Sequence, residues 1–407
     1  MKIKIGRIQN LKKSDLLAFL YIGILCMNVA SKVFSSSNLS KVFFWTPGGF
    51  EYYIIRLSII GCICLIVSQN IMLRKKMILI LIISIIVLIS IFSVNTYTLA
   101  SIGLFILAYP ASLDDRKVAK IISYTYNICI CYILVMYYLG EVDGTIGGRI
   151  NSNITRYSYG FSSPNGFACM TLYALIAYIY YKREKWEIKH SLLWGTIVIG
   201  VYSVTDGRVT FVLSICSIII MTVWCVKDRV SRESNSNIIF FVSTLMFSVG
   251  CLFSILSAYL YANGYFREHL EIINYASSYR LSFMAKYFQN PGISLWGQMI
   301  KTVSATQATI TGQGWSGLDN SYLYMLILWG VVATSIYGIL VTSLGKYFKQ
   351  IGNKYGALCV MILCLEGIAE AYMLNVGINL LVIMIAKMVN TKGYIIKNKN
   401  RNLLGEI

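Results

Sequence analysis

Residues Ile78–Ile91 read ILILIISIIVLISI, fourteen positions that are apolar on every side but for two serines. A surface helix of a soluble protein would show a polar stripe at helical spacing. A membrane-barrel strand would alternate with period two over about ten residues. Neither pattern is present, so this stretch must be surrounded by apolar matter. Similar runs of 16 to 24 residues recur along the chain, the length that crosses a hydrocarbon layer of about 30 Å as helix. Only helices and closed barrels satisfy their backbone groups in lipid. The four prolines in 407 residues also argue against a loop-rich alternative. The reading is an all-α fold, a polytopic transmembrane helical bundle forming one integral membrane domain over 1–407.

Composition agrees. The chain is 57% hydrophobic and only 13% charged, where soluble domains carry roughly a quarter charged residues. A net charge of +19 invites a nucleic-acid reading, but the basic residues fall in short clusters between apolar runs, the pattern that orients helices in a bilayer. No nucleic-acid partner is expected. The basic start Met1–Arg7 resembles a signal peptide, yet no small-residue cleavage site follows, so a retained first helix is expected. Eleven cysteines lie in or beside the apolar runs, which gives no disulfide framework. The pairs Cys62/Cys64 and Cys129/Cys131 diverge on a helix and read as buried small hydrophobes.

About twelve spans are expected, at 16–34, 52–68, 77–93, 95–111, 118–140, 165–181, 190–205, 209–226, 238–260, 319–342, 355–373 and 375–391. With the N-terminus placed in the cytoplasm, the inward segments hold 26 of the 36 Lys and Arg residues. Both termini are therefore expected inside. Two longer segments fall outside, 141–164 and 261–318. In the second, Leu270, Ile273 and Ser277 alternate with Arg267, His269 and Glu271, which suggests one or two short amphipathic helices broken at Asn290-Pro-Gly292.

The ionisable residues that can be placed in a span or at its outer mouth all fall in the outer half. Arg56 lies one turn into the second span, Asp206 and Arg208 flank a tight turn, and Asp319 opens the tenth span. Glu366 and Glu370 are four apart in the eleventh, hence on one helical face. Such residues cost several kcal/mol unless paired or facing water, so an outward polar cavity is expected. Blander roles compete. Asp206 and Arg208 suit a simple turn pair, Glu366 and Glu370 suit an ion pair with Arg56, and Asp319 suits a helix N-cap. His269 between Glu268 and Glu271 suits an ordinary loop, and His190 reads as a surface residue. Arg149 and Arg156 resist such accounts best, because they put positive charge where topology disfavours it. Guanidinium binds phosphate oxygens as a fork and stays charged when desolvated. With no nucleotide or metal motif present, a lipid-linked pyrophosphate is the natural ligand, with no cofactor and no metal.

Three stretches carry a resemblance. Arg156-Tyr-Ser-Tyr-Gly160-Phe-Ser-Ser-Pro-Asn165-Gly precedes a span, Ser203-Val-Thr-Asp-Gly-Arg208-Val-Thr makes a turn, and Gly312-Gln-Gly-Trp-Ser-Gly-Leu-Asp319-Asn-Ser-Tyr322-Leu follows the long loop. In this order and topology they resemble the Wzy-type polysaccharide repeat-unit polymerases of the O-antigen polymerase and ligase superfamily. Arg149 and Gly160 also fit an R-x10-G spacing of some members, which neither Arg267 nor Arg280 repeats. Asp206-Gly207 departs from the commoner Ser or Gly residues of the turn.

The resemblance implies a GT-C-like bundle in a bacterial plasma membrane. It implies transfer of a growing glycan from undecaprenyl pyrophosphate to a sugar hydroxyl of an incoming lipid-linked repeat unit. A flippase and a chain-length regulator of the same pathway become expected partners. Arg149, Arg156, Arg208 and Arg280 would bind the pyrophosphate, and one of His269, Glu268, Glu271 or Asp319 would be the base. Asn165, Asp206, Asn320, Tyr322, Glu366, Glu370 and Arg56 would support them. Loop aromatics, Tyr275, Tyr279, Tyr287, Trp296 and Trp315, suit sugar stacking or simply the membrane interface. Two rivals stand beside this reading: a ligase-type transferase with another acceptor, and a flippase or transporter of the same lipid-linked sugar.

Overall fold

Helices follow the apolar runs. The computed structural model describes residues 2–39, 49–69, 97–148, 154–230, 237–300, 302–303, 317–377 and 379–390. The expected span 77–93, Arg149 and Trp315 lie outside them. In order come α1 (Lys2–Ser35), α2 (Gly49–Ser68), α3 (Tyr97–Ala108), α4 (Asp115–Tyr138), α5 (Pro164–Lys182), α6 (Ile188–Thr205), α7 (Arg208–Val230) and α8 (Asn237–Ala262). The long loop carries α9 (Arg267–Ala276) and α10 (Arg280–Gln289). The chain then continues through α11 (Ser321–Leu328), α12 (Gly330–Gln350) and α13 (Lys354–Ala369) to α14 (Leu380–Asn390). Among the described residues, five helices are long and apolar enough to cross a bilayer, within α1, α4, α7, α8 and α12. The protein is a mostly helical membrane protein. One departure from an all-α reading is a small antiparallel hairpin, β1 (Ile146–Gly148) with β2 (Thr155–Tyr157).

The bundle is inverted relative to a soluble one. On α8 the inward stripe is Phe240, Ser243, Phe247, Gly250, Ser254 and Ala258, mostly small residues that let helices approach closely. Its outward face carries Phe241, Val249, Leu252 and Phe253, all exposed, which only lipid would cover. At the centre stands α5, buried nearly all round and packed by α4, α6, α7 and α13. Cys62 is buried and Cys64 exposed, as are Cys129 and Cys131 in turn, so each pair does diverge.

One end of the bundle is belted by basic residues. Arg116 closes the C-terminus of α5 by donating to the Tyr181 and Lys182 carbonyls at 2.8 and 2.9 Å. Arg183 pairs with Asp115 at 2.8 Å, and Lys354 with Asp228 at 2.7 Å. His190 is not a surface residue. It is buried, and its Nδ1 accepts the Glu187 N–H at 2.9 Å, which closes a capping box at the start of α6. The other end carries the 141–148, 154–164 and 261–300 segments.

Three expected spans differ in ways that matter. The run 319–342 is not one helix but α11 and α12, broken at Trp329–Gly330, where Gly330 has φ +81°. Segment 294–298 enters the break. Gln298 N–H donates to the Ile327 carbonyl at 2.9 Å, and the Val331 and Val332 N–H groups donate to the Ser294 and Leu295 carbonyls at 3.0 and 3.2 Å. Backbone polar groups released by a broken helix must find partners inside the protein, and these bonds provide them. A Cβ on Gly330 would collide with the backbone of Gly297 and Leu295. Gly330→Ala is therefore expected to destabilise by about 2 kcal/mol or more, read as a lower unfolding temperature in detergent.

The runs 355–373 and 375–391 also fall short. The 16 residues of α13 rise about 24 Å, and the described part of α14 is shorter still. Between them the chain makes a 3-10 turn, Tyr372–Leu374, sunk into the bundle with Met373, Leu374 and Asn379 buried. Glu370 thus leaves the helical face it was expected to share with Glu366. Its backbone is extended, at φ −141° and ψ 151°.

Candidate functional site

Why α13 stops at Ala369 is answered by side chains from far along the chain. The last carbonyls of a helix lack intrahelical donors. Here Asn320 Nδ2 donates to Ile368 O at 2.9 Å, Ser321 Oγ to Glu370 O at 2.6 Å, and an Arg280 N–H to Ala369 O. Tyr322 reaches deeper and donates to Cys364 O at 2.7 Å, its ring lying where Gly250 leaves room. The Asn-Ser-Tyr run thus holds the end of α13 through its backbone. Asn320 is also the N-cap of α11, accepting from Leu323 N–H at 2.8 Å. That corrects the capping role expected for Asp319, whose carboxylate is left to face Arg280.

Arg280 stands at the start of α10, after two consecutive left-handed residues, Ser278 at φ 60° and Tyr279 at φ 64°. Non-glycine residues in this region carry about 1–3 kcal/mol of strain each and persist only where the surroundings fix them. Buried Asn274 does so. Its carbonyl accepts Tyr279 N–H at 2.7 Å and its Oδ1 accepts Ser282 N–H at 3.0 Å. The guanidinium so placed meets Glu370 Oε1 at 2.6 Å and Asp319 Oδ2 at 3.6 Å. Burial works against its charge, but Glu370 and Asp319 outweigh that and raise its pKa above the ordinary arginine value. Glu370 therefore pairs with Arg280. Arg56 is exposed on α2.

The second arginine arrives from the hairpin. On β2, Arg156 donates through Nε to the Thr205 carbonyl at 2.6 Å, at the C-terminus of α6, and through Nη2 to Asn165 Oδ1. Asn165 follows Pro164 in the first turn of α5, capped by Ser163, which accepts from Gly166 N–H at 3.0 Å. Its Nδ2 reaches Glu370 Oε1 at 3.5 Å. Both arginines thus end a helix by bonding a terminal carbonyl, where the macrodipole is negative. Arg280 meets Glu370 directly, and Arg156 reaches it through Asn165. The line Thr205 O, Arg156, Asn165, Glu370, Arg280, Asp319 joins five helix ends and strand β2.

Other candidates sit further out. Asp206, left-handed at φ 45°, turns α6 into α7, and Arg208 Nε lies 3.4 Å from its carboxylate with the arginine side chain half exposed. On α9, His269 and Glu268 are exposed, and Glu271 accepts from Tyr261 Oη at 2.8 Å. Asp319 is the one candidate base placed against the arginines.

Behind Glu370 lies a carboxylate whose anchor the sequence did not single out. Glu366 is wholly buried and accepts from Tyr173 Oη at 2.5 Å, while its Oε1 has no partner among the described residues. Tyr173 sits in the middle of α5, where an aromatic reads as core. Tyr173→Phe removes that donor from a buried acceptor and is expected to cost about 1–3 kcal/mol, checked by thermal unfolding in detergent. No protein-family model, curated protein or solved structure matches the chain.

Proposed function

We propose that the protein is a Wzy-type repeat-unit polymerase of a bacterial plasma membrane. In this reading the twelve spans form a GT-C-like bundle with both termini in the cytoplasm, and the end carrying the long loop faces outward. The growing glycan moves from undecaprenyl pyrophosphate to a sugar hydroxyl of an incoming lipid-linked repeat unit. A flippase would deliver that unit, and a chain-length regulator would act on the product. The observation that carries the reading is that Arg280 directly, and Arg156 through Asn165, reach one buried position at the loop end from two separate loop segments. Two guanidiniums so held suit a diphosphate leaving group, whose developing charge they would stabilise without reorganisation. Asp319, 3.6 Å from Arg280, would help to orient the acceptor.

The test is reconstitution. Purified protein in detergent receives a synthetic undecaprenyl-pyrophosphate repeat unit, without nucleotides or divalent metal, and products are resolved on a gel. A ladder is expected. Transfer of the glycan to a different acceptor would identify a ligase-type transferase. A second reading has its own support: a helix broken at Trp329–Gly330 and sunken backbone at 370–377 are features of transporters that bind substrates at depth. Movement of the intact substrate across liposomes, with no ladder, would select it.

A further inference from the structure

Among the described residues, the cluster at the loop end has more carboxylates than arginines: Arg280 meets Glu370 and Asp319 with Glu366 behind them, Arg156 reaches Glu370 through Asn165, and Arg208 lies with Asp206. A diphosphate would bring further negative charge. Dense, unbalanced negative charge in a desolvated site is strongly disfavoured. A carboxylate must therefore yield its place.

Glu370 is built to do so. It lies just past the end of α13 on extended backbone, its N–H making the last helical bond of α13. Its own carbonyl is held by Ser321 at 2.6 Å and its N–H by Glu366 O at 3.0 Å, so the backbone stays fixed while the side chain turns. Glu366, by contrast, is locked on the helix against Tyr173. Asp319 lies farther from the guanidinium, at 3.6 Å against 2.6 Å. The charged or titratable groups around Glu370 are Arg280, Asp319, Arg156, Glu366, Cys169 and Tyr372.

We propose that Glu370 is a displaceable stand-in for the substrate anion, and that the carboxylate released from Arg280 accepts the proton of the acceptor hydroxyl. The proposal rests on the polymerase reading. The acceptor O–H gives its proton to Glu370 as its oxygen bonds to the anomeric carbon. The bond from that carbon to the diphosphate oxygen breaks, and the diphosphate leaves with the electron pair, its charge met by Arg280 and Arg156. One side chain thus fills the anion's place in the empty site and is in place as a base only once donor is bound.

Binding and turnover then respond in opposite directions. The full chain in detergent is titrated with inorganic pyrophosphate by calorimetry and assayed for polymerisation. Glu370→Gln is expected to bind pyrophosphate about tenfold or more tighter, because a close competing charge is gone, and to lose the ladder. Wild-type affinity is expected to rise as pH is lowered through the range in which Glu370 takes up a proton, a dependence the variant lacks beyond that of pyrophosphate itself. A purely structural Glu370 would give weaker binding in the variant, which overturns the proposal. Polymerisation retained in Glu370→Gln overturns it too, and leaves the polymerase reading intact. If the variant does not fold, flat wild-type affinity across that pH range overturns the exchange alone. Tighter, pH-independent binding in the variant with no wild-type ladder supports the exchange and sinks the polymerase.

Discussion

Arg280→Met is expected to lower stability by about 3–5 kcal/mol, the scale on which a buried ion pair responds to losing one partner. The loss is large because the guanidinium serves several groups at once: Glu370, Asp319 and the Ala369 carbonyl. Without it, buried Glu370 loses the cation that it meets at 2.6 Å, and the end of α13 loses a donor. The sharper result comes from the pair. Arg280→Met with Glu370→Met is expected to recover much of the loss, since a well-packed apolar pair can replace a buried ion pair at little net cost. Thermal unfolding of the two single variants and the double variant in detergent checks this. Additive losses would mean that Arg280 acts through the Ala369 carbonyl and its packing, not through Glu370.

Arg156→Ala is expected to reduce polymerisation by about 10²–10³-fold, the range for removing one preorganised donor to developing negative charge. Its place on a short hairpin, aimed at Asn165 across the start of α5, gives it reach into the site. Because it also bonds the Thr205 carbonyl, a modest stability loss of about 1 kcal/mol accompanies the change. Turnover per folded molecule, from the ladder assay normalised to monodisperse protein, separates the two roles. Lys189→Ala is the control, since Lys189 lies at the start of α6, at the other end of the bundle, with its side chain 70% exposed. Equal losses in both variants would remove the case for an arginine-lined donor site.

Much of this was legible in the chain itself, because hydropathy is a local property. Apolar runs marked the helices from α1 to α8, and the alternation around Leu270 and Ile273 marked the short helices of the loop. Arg156, Asn165, Asp319 and Glu370 each stood out as polar residues beside apolar runs. What stayed hidden was long-range. Nothing near Ala369 announces that α13 ends there, since its donors Arg280, Asn320 and Ser321 stand about fifty to ninety residues away. The break at Trp329–Gly330 depends likewise on the backbone of 294–298. Arg280 carried no motif that marked it above Arg149 or Arg208, and only the Asn274 corner reveals where it points. Tyr173 was lost among core aromatics because the acid it serves lies on another helix.

The docking of 294–298 between α11 and α12 limits how such proteins can be re-engineered. A loop that merely caps a bundle can be exchanged between relatives as a cassette. Here the loop's backbone completes the hydrogen bonding of a helix that belongs to the bundle, and Gly297 and Gly330 meet too closely to admit any side chain. A chimera that imports a foreign loop without its matching helix break would leave amide groups stranded in an apolar interior. Loop and helix must travel together, so any swap of the loop should take its junctions beyond Gly330.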